Sequence, residues 1–293
     1  MTVSTASPTI AGETHRRQFA LGEETVGYVY DRYQAADRDS AVVCVHGITR
    51  NRHDFTYLAR YLSDRFDVYA PDLLGHGDSD WFEGRVVYEK EMFLAQLLDL
   101  MSDLRGRRIG YVGSSYGGLM GIRLAARPDS PIGCLVLNEA GVGIRQEFYE
   151  KTARNISYYP LFGSMNSVVS WMKLVMRNSG DLAPERFDEI VRHSVRQTPA
   201  GEYVLAYDKD IPRVWLGNHG RRPEPWTLWE SIRCPVLLIR GAHSEVVTPD
   251  VAAQMKERKP DMELIEIEEA GHFPHLMSLS QVAPIKEWLA AHL

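Results

Sequence analysis

The residues in this chain best arranged for chemistry are one serine, two histidines and two glutamates. Ser115 stands in Gly113-Ser114-Ser115-Tyr116-Gly117, between the apolar run Ile109-Gly110-Tyr111-Val112 and a helix-compatible stretch. Glycines flank Ser115 at i−2 and i+2, so Ser115, and not Ser114, fits the G-x-S-x-G frame. A serine on so tight a strand-to-helix turn takes a strained backbone that lifts its hydroxyl clear of the sheet. A side chain at 113 or 117 would collide with the neighbouring strand or helix, which calls for glycine. Such a hydroxyl attacks a carbonyl carbon when a base takes its proton. The N–H of Tyr116, at the start of the following helix, can face the developing oxyanion.

The base and the acid come from other parts of the chain. His272, in Ala270-Gly271-His272 after the apolar run Leu264 to Ile267, is the candidate base, with His275 as the alternative. Two carboxylates compete for the role of acid. Glu245 lies in the loop after Val236 to Ile239, and Glu139 follows Ile132 to Leu137 in Leu137-Asn138-Glu139-Ala140-Gly141. Glu245 is the preferred assignment. Glu139 reads otherwise as a hinge residue at the mouth of an insertion.

These residues need a scaffold that gathers distant segments. Phe19 to Leu21 and Val26 to Tyr30 alternate around Gly22-Glu23-Glu24 and predict an antiparallel hairpin. Ala41-Val42-Val43-Cys44-Val45 is a continuous apolar run of the kind buried on both faces of a parallel sheet. Val68-Tyr69-Ala70, the run before Ser115, Ile132 to Leu137, Val236 to Ile239 and Leu264 to Ile267 supply further strands. Helical patterns separate them; Phe93, Leu97, Leu100 and Leu104 recur on one helix face. Thr248-Pro249-Asp250 is a cap, a first-turn proline and an early acid opening another helix. Alternating strands and helices predict an α/β fold: a mainly parallel sheet of about eight strands with helices on both faces. Ligands bind such sheets at the carboxyl ends of the strands, where Ser115, Glu139, Glu245 and His272 all fall.

The alternation breaks over 141–230, which predicts an inserted helical cap. Residues 15–140 and 231–293 then form the core, and 1–14 a loose tail. The cap is rich in large apolar groups, among them Tyr158, Leu161, Phe162, Met165, Trp171, Met172 and Met176. Most should pack within the cap itself, while Trp171 and Met172 are expected to help line a substrate pocket.

Composition bounds the rest. A chain of 293 residues with 44% hydrophobic residues suits one large domain with an insertion. The formal net charge of −6 argues against nucleic acid or an anionic membrane as main partner, leaving a small-molecule substrate. No apolar run approaches the ~20 residues of a membrane span, and Met1 to Gly12 carries no apolar targeting core. Cys44, Cys134 and Cys234 lie in or beside apolar runs and read as buried small hydrophobes, which fits a reducing cytoplasm. No metal-binding spacing is present, and no metal or cofactor is expected.

Four signatures occur in order: His46-Gly47, Asp72-x-x-Gly75-x-Gly77-x-Ser79, the turn at Ser115, and Gly271-His272. With them the chain resembles the α/β-hydrolase fold superfamily, in its cap-bearing serine esterase branch, over nearly everything from residue 17 to 293. The resemblance implies a Ser-acid-His triad in that chain order and ester hydrolysis through an acyl-enzyme. It makes Ile48 the second oxyanion donor and His46 and Gly47 pocket-wall or structural residues. Related chains usually carry Asp four residues before the proline that opens the next helix, where this chain has Glu245. A serine at the elbow argues against the haloalkane dehalogenases and epoxide hydrolases, whose elbow carries Asp. Lactone hydrolysis or C–C bond cleavage of a β-diketone would use the same three residues. A ligand-binding protein without turnover is the rival from another class. Arg50, Arg52 and His53 follow Ile48 and read as a solvated basic loop or as an anchor for an anionic substrate group.

Overall fold

The computed structural model describes residues 11–34, 39–82, 84, 88–214 and 225–293. The hairpin is longer than its alternation suggested: β1 (Glu13–Leu21) and β2 (Glu24–Tyr33) pair from Glu13 opposite Arg32 to Leu21 opposite Glu24. The expected loose tail thus already gives Glu13 and Thr14 to β1, and residues 1–10 lie outside the described residues. After β3 (Ser40–Val45), a 3₁₀ turn (Arg52–Phe55) leads into α1 (Thr56–Leu62). β4 (Asp67–Pro71), α2 (Lys90–Ser102), β5 (Arg108–Ser114), α3 (Tyr116–Ala125) and β6 (Ile132–Asn138) follow. The cap region holds α4 (Gln146–Ile156), α5 (Met165–Val175), α6 (Pro184–His193), β7 (Val195–Gln197), β8 (Tyr203–Leu205), α7 (Ile211–Val214) and α8 (Trp226–Glu230). The chain closes with β9 (Val236–Gly241), α9 (Pro249–Arg258), β10 (Glu263–Ile267) and α10 (Leu279–His292).

The main sheet has eight strands in the order β1-β2-β4-β3-β5-β6-β9-β10. β1, β2 and β4 join antiparallel, and every pairing from β4 to β10 is parallel. β3 is buried along its whole length. Its side chains alternate between two hydrophobic cores, Ala41, Val43 and Val45 in one, Val42 and Cys44 in the other. Leu135 and Leu137 of β6 likewise face away from Cys134 and Val136. This two-sided burial is why these strands read as unbroken apolar runs. Cys44 and Cys134 are buried free thiols. Burial pushes Cys134 up to about 12.

Residues 141–230 depart from the expected all-helical segment in two ways. β7 and β8 form a separate two-stranded sheet; strands of three residues are too short to show a period of two. At its far end α8 belongs to the core, because Trp229 is fully buried and its indole N–H donates to Met255 O in α9 at 3.0 Å. Residues 215–224, within the expected cap, lie outside the described residues. Among the described residues, no group of three or more His, Cys, Asp or Glu could hold a metal ion, and no helix is long and apolar enough to cross a membrane.

Candidate active site

Ser115 sits between β5 and α3 with φ 49° and ψ −112°, a conformation L-residues rarely adopt. Close packing forces the turn. A Cβ on Gly113 would lie 2.6 Å from the Gly117 carbonyl, and one on Gly117 only 2.1 Å from Val45 O. The turn is held by Ser115 N–H donating to Asn138 O at 2.9 Å and by Leu119 N–H donating to Ser115 O at 3.0 Å. Asn138 also donates through Nδ2 to Ser114 Oγ and to Pro274 O, both at 3.0 Å, and so ties the elbow to the loop after β10.

That loop carries His272. Its Nε2 lies 3.4 Å from Ser115 Oγ, the outer limit of a hydrogen bond. On its other side Nδ1 lies 3.1 Å from Glu139 Oε2. Phe148, near the start of α4, meets the His272 ring edge-on at 5.4 Å between centroids. The backbone N–H of Gly271 donates to Asn178 O at 2.8 Å, which fastens the loop to the cap.

Glu139 is buried, with φ 53°. Its N–H donates to Ile239 O at 2.9 Å, so the residue continues the seam between β6 and β9. Oε1 accepts from Gly241 N–H at 2.6 Å, and Oε2 accepts from Ser244 Oγ at 2.6 Å as well as from His272. All three partners are donors, which suits an acceptor-only carboxylate.

The preference for Glu245 is corrected here. Its side chain is 75% exposed and pairs with Lys151 of the cap at 2.6 Å, which holds its carboxyl below the usual range. The turn after β9 aims the preceding residue, Ser244, at the site and leaves Glu245 to solvent. His275 is equally removed. Its Nδ1 accepts from Met277 N–H at 2.9 Å, and its Nε2 donates to Asp181 O at 3.0 Å. It is a buried brace, with its affinity for a proton lowered by burial.

Gly47 abuts the serine: a Cβ there would lie 3.7 Å from Ser115 Cβ. The loop through Ile48 is pinned from behind by two buried histidines. His46 donates from Nδ1 to Gly47 O at 2.8 Å and accepts from Leu73 N–H at Nε2 at 3.0 Å. His76 Nε2 lies 2.7 Å from Ile48 O. Burial keeps His46 well below the usual histidine range, with His76 adding to the effect. His46, fully buried with both nitrogens engaged, has no surface to offer a ligand and is not a pocket wall.

Trp171 and Met172 are also corrected. Met172 is buried with Val168 on the inner face of α5, and Trp171 packs edge-on against Phe162 at 5.6 Å. A cleft of about 400 Å³ lies on the side of α5 that carries Val169 and Lys173, opposite Leu182 and Phe187, and neither Ser115 nor His272 lines it. The basic loop is neither solvated nor open to an anion. Arg50 forks onto Asp54 at 2.8 and 2.6 Å and donates to Ser194 Oγ of the cap at 2.8 Å. Arg52 is buried between Asp31, Asp72 and Asp78. His53 stacks on His193 of α6 at 3.6 Å, and burial, then Arg52 and His193, lower it to about 3.

Ser244, Asn138 and Phe148 carried no signal in the sequence. None belongs to a motif, and each matters only through partners far along the chain.

The family model described as "alpha/beta hydrolase fold" matches residues 40–278. A 3-hydroxybutyrate-oligomer hydrolase of Cupriavidus necator is 27% identical over 253 residues, covering 83% of this chain and 85% of the relative. An esterase of Mycobacterium tuberculosis is 27% identical over 236 residues, covering 79% and 76%. An α/β hydrolase structure from Novosphingobium aromaticivorans superposes with a TM-score of 0.83 at 25% identity, covering 96% of this chain and 99% of that one.

Proposed function

The chain belongs to the α/β-hydrolase fold family, and on that premise we propose that it is a serine hydrolase of carboxylic esters with a small to medium apolar substrate. The contact series Ser115 Oγ to His272 Nε2 at 3.4 Å and His272 Nδ1 to Glu139 Oε2 at 3.1 Å carries this reading.

In this scheme Ser115 Oγ attacks the ester carbonyl carbon while its proton passes to His272 Nε2. Glu139 holds Nδ1–H, keeps the ring in the productive tautomer and stabilises the imidazolium. The oxyanion is met by the N–H groups of Tyr116 and Ile48. Collapse expels the alcohol, which takes the proton from His272. Water, deprotonated by His272, then attacks the acyl-enzyme; as the acid leaves, His272 returns the proton to Ser115 Oγ. The name of the Cupriavidus necator relative makes short hydroxyacyl esters the first substrates to try.

A panel of p-nitrophenyl esters, hydroxybutyrate oligomers, lactones and vinylogous diketones, with Ser115→Ala as the blank, tests the proposal. Ester turnover that disappears in the blank supports it. Activity confined to diketones or lactones moves the reaction class, and activity unchanged in the blank removes Ser115 from the chemistry.

A further inference from the structure

We infer that Ser244 is a positioning residue for Glu139. The inference rests on the serine-hydrolase reading above.

The direction of the Ser244 hydroxyl is forced. Ser244 is 7% exposed, and its Oγ accepts backbone N–H groups from Val246 and Val247, each at 3.1 Å. A serine oxygen has two lone pairs and one proton. With both lone pairs occupied, the proton goes to the remaining neighbour, Glu139 Oε2 at 2.6 Å. The same oxygen takes the His272 Nδ1–H. Gly241 N–H holds Oε1 from the other side. Ser244 is itself held by its N–H donating to Gly241 O at 3.0 Å. The carboxylate plane is therefore set by two donors from the β9 turn, and His272 meets an acceptor already fixed in place. Without the Ser244 proton, Oε2 keeps only the histidine, and the group can turn about its last bond.

The test compares wild type, Ser244→Ala and Ser244→Thr on a chromogenic butyrate ester, with melting temperatures measured alongside. Ser244→Ala should lower kcat by about tenfold or more, the order for a lost hydrogen bond to a charged group, with KM within about twofold. Ser244→Thr should recover most of the loss. A Ser244→Ala enzyme with wild-type kcat overturns the inference, as does a loss that falls on KM and leaves kcat unchanged. A wild-type protein that turns over no ester and does not label at Ser115 overturns the underlying reading, and the inference with it.

Discussion

Glu139 Oε2 lies 3.1 Å from His272 Nδ1, across 133 residues of sequence, and Glu139 holds that position with a left-handed backbone, φ 53°. Glu139→Gln should therefore lower kcat by about 10⁴, as loss of the acid does in the serine-protease template. Glu245→Gln, which breaks only an exposed pair with Lys151, should stay within a few-fold of wild type. Steady-state kinetics on one ester decides between them, and the reverse ranking would return the acid to the β9 turn.

Ser114 and Ser115 are neighbours with different surroundings. Ser114 Oγ accepts from Asn138 within the sheet, whereas Ser115 Oγ faces His272. A fluorophosphonate probe should mark Ser115 alone, read by peptide mass mapping. Ser115→Ala should lose kcat by about 10⁴–10⁶, while Ser114→Ala should remain labelled.

Stability should fall on the acid side. Burial lowers the proton affinity of His46, His53, His76 and His275 in the folded protein, whereas the unfolded chain takes up protons near ~6.5. The unfolded state then binds more protons below that pH. Stability is full above about 6.5 and is lost as pH falls, with each such histidine adding up to about 1.4 kcal/mol per pH unit. For His53 the window runs down to about 3. Melting temperature against pH should be flat between about 8 and 7 and decline below about 6.5. His53→Phe, which keeps a ring on His193, should flatten that decline; an unchanged slope would remove His53 from it.

The cap corrections make separable claims. Met172, 2% exposed in the hydrophobic core, should cost about 2–5 kcal/mol as Met172→Ala and leave the acyl-chain profile unchanged. Phe148, edge-on to His272, should act the other way in Phe148→Ala, altering chain-length preference with little change in melting temperature. Thermal unfolding and a C2–C8 ester series measure both, and a shifted profile in Met172→Ala would put that side chain back on the pocket wall.

The sequence by itself determined what depends on near neighbours along the chain. Gly113 and Gly117 mark Ser115 in a frame written within five residues, although the backbone that a Cβ on Gly117 would meet, Val45 O at 2.1 Å, belongs to β3. Strands buried on both faces read as apolar runs, so the parallel sheet was visible. Tertiary structure alone decided which glutamate meets His272. β9 lies between β6 and β10 in the sheet, so turns ending both β6 and β9 come near the histidine, and strand order cannot choose between them. The choice was made by the left-handed backbone at Glu139 and by the turn that aims Ser244, not Glu245, inward. Tertiary packing likewise chose between the two faces of α5. Helical spacing groups Val168 with Met172, and Val169 with Lys173 and Met176. Which group turns inward depends on what lies beneath the helix, and that is set by segments distant in the chain.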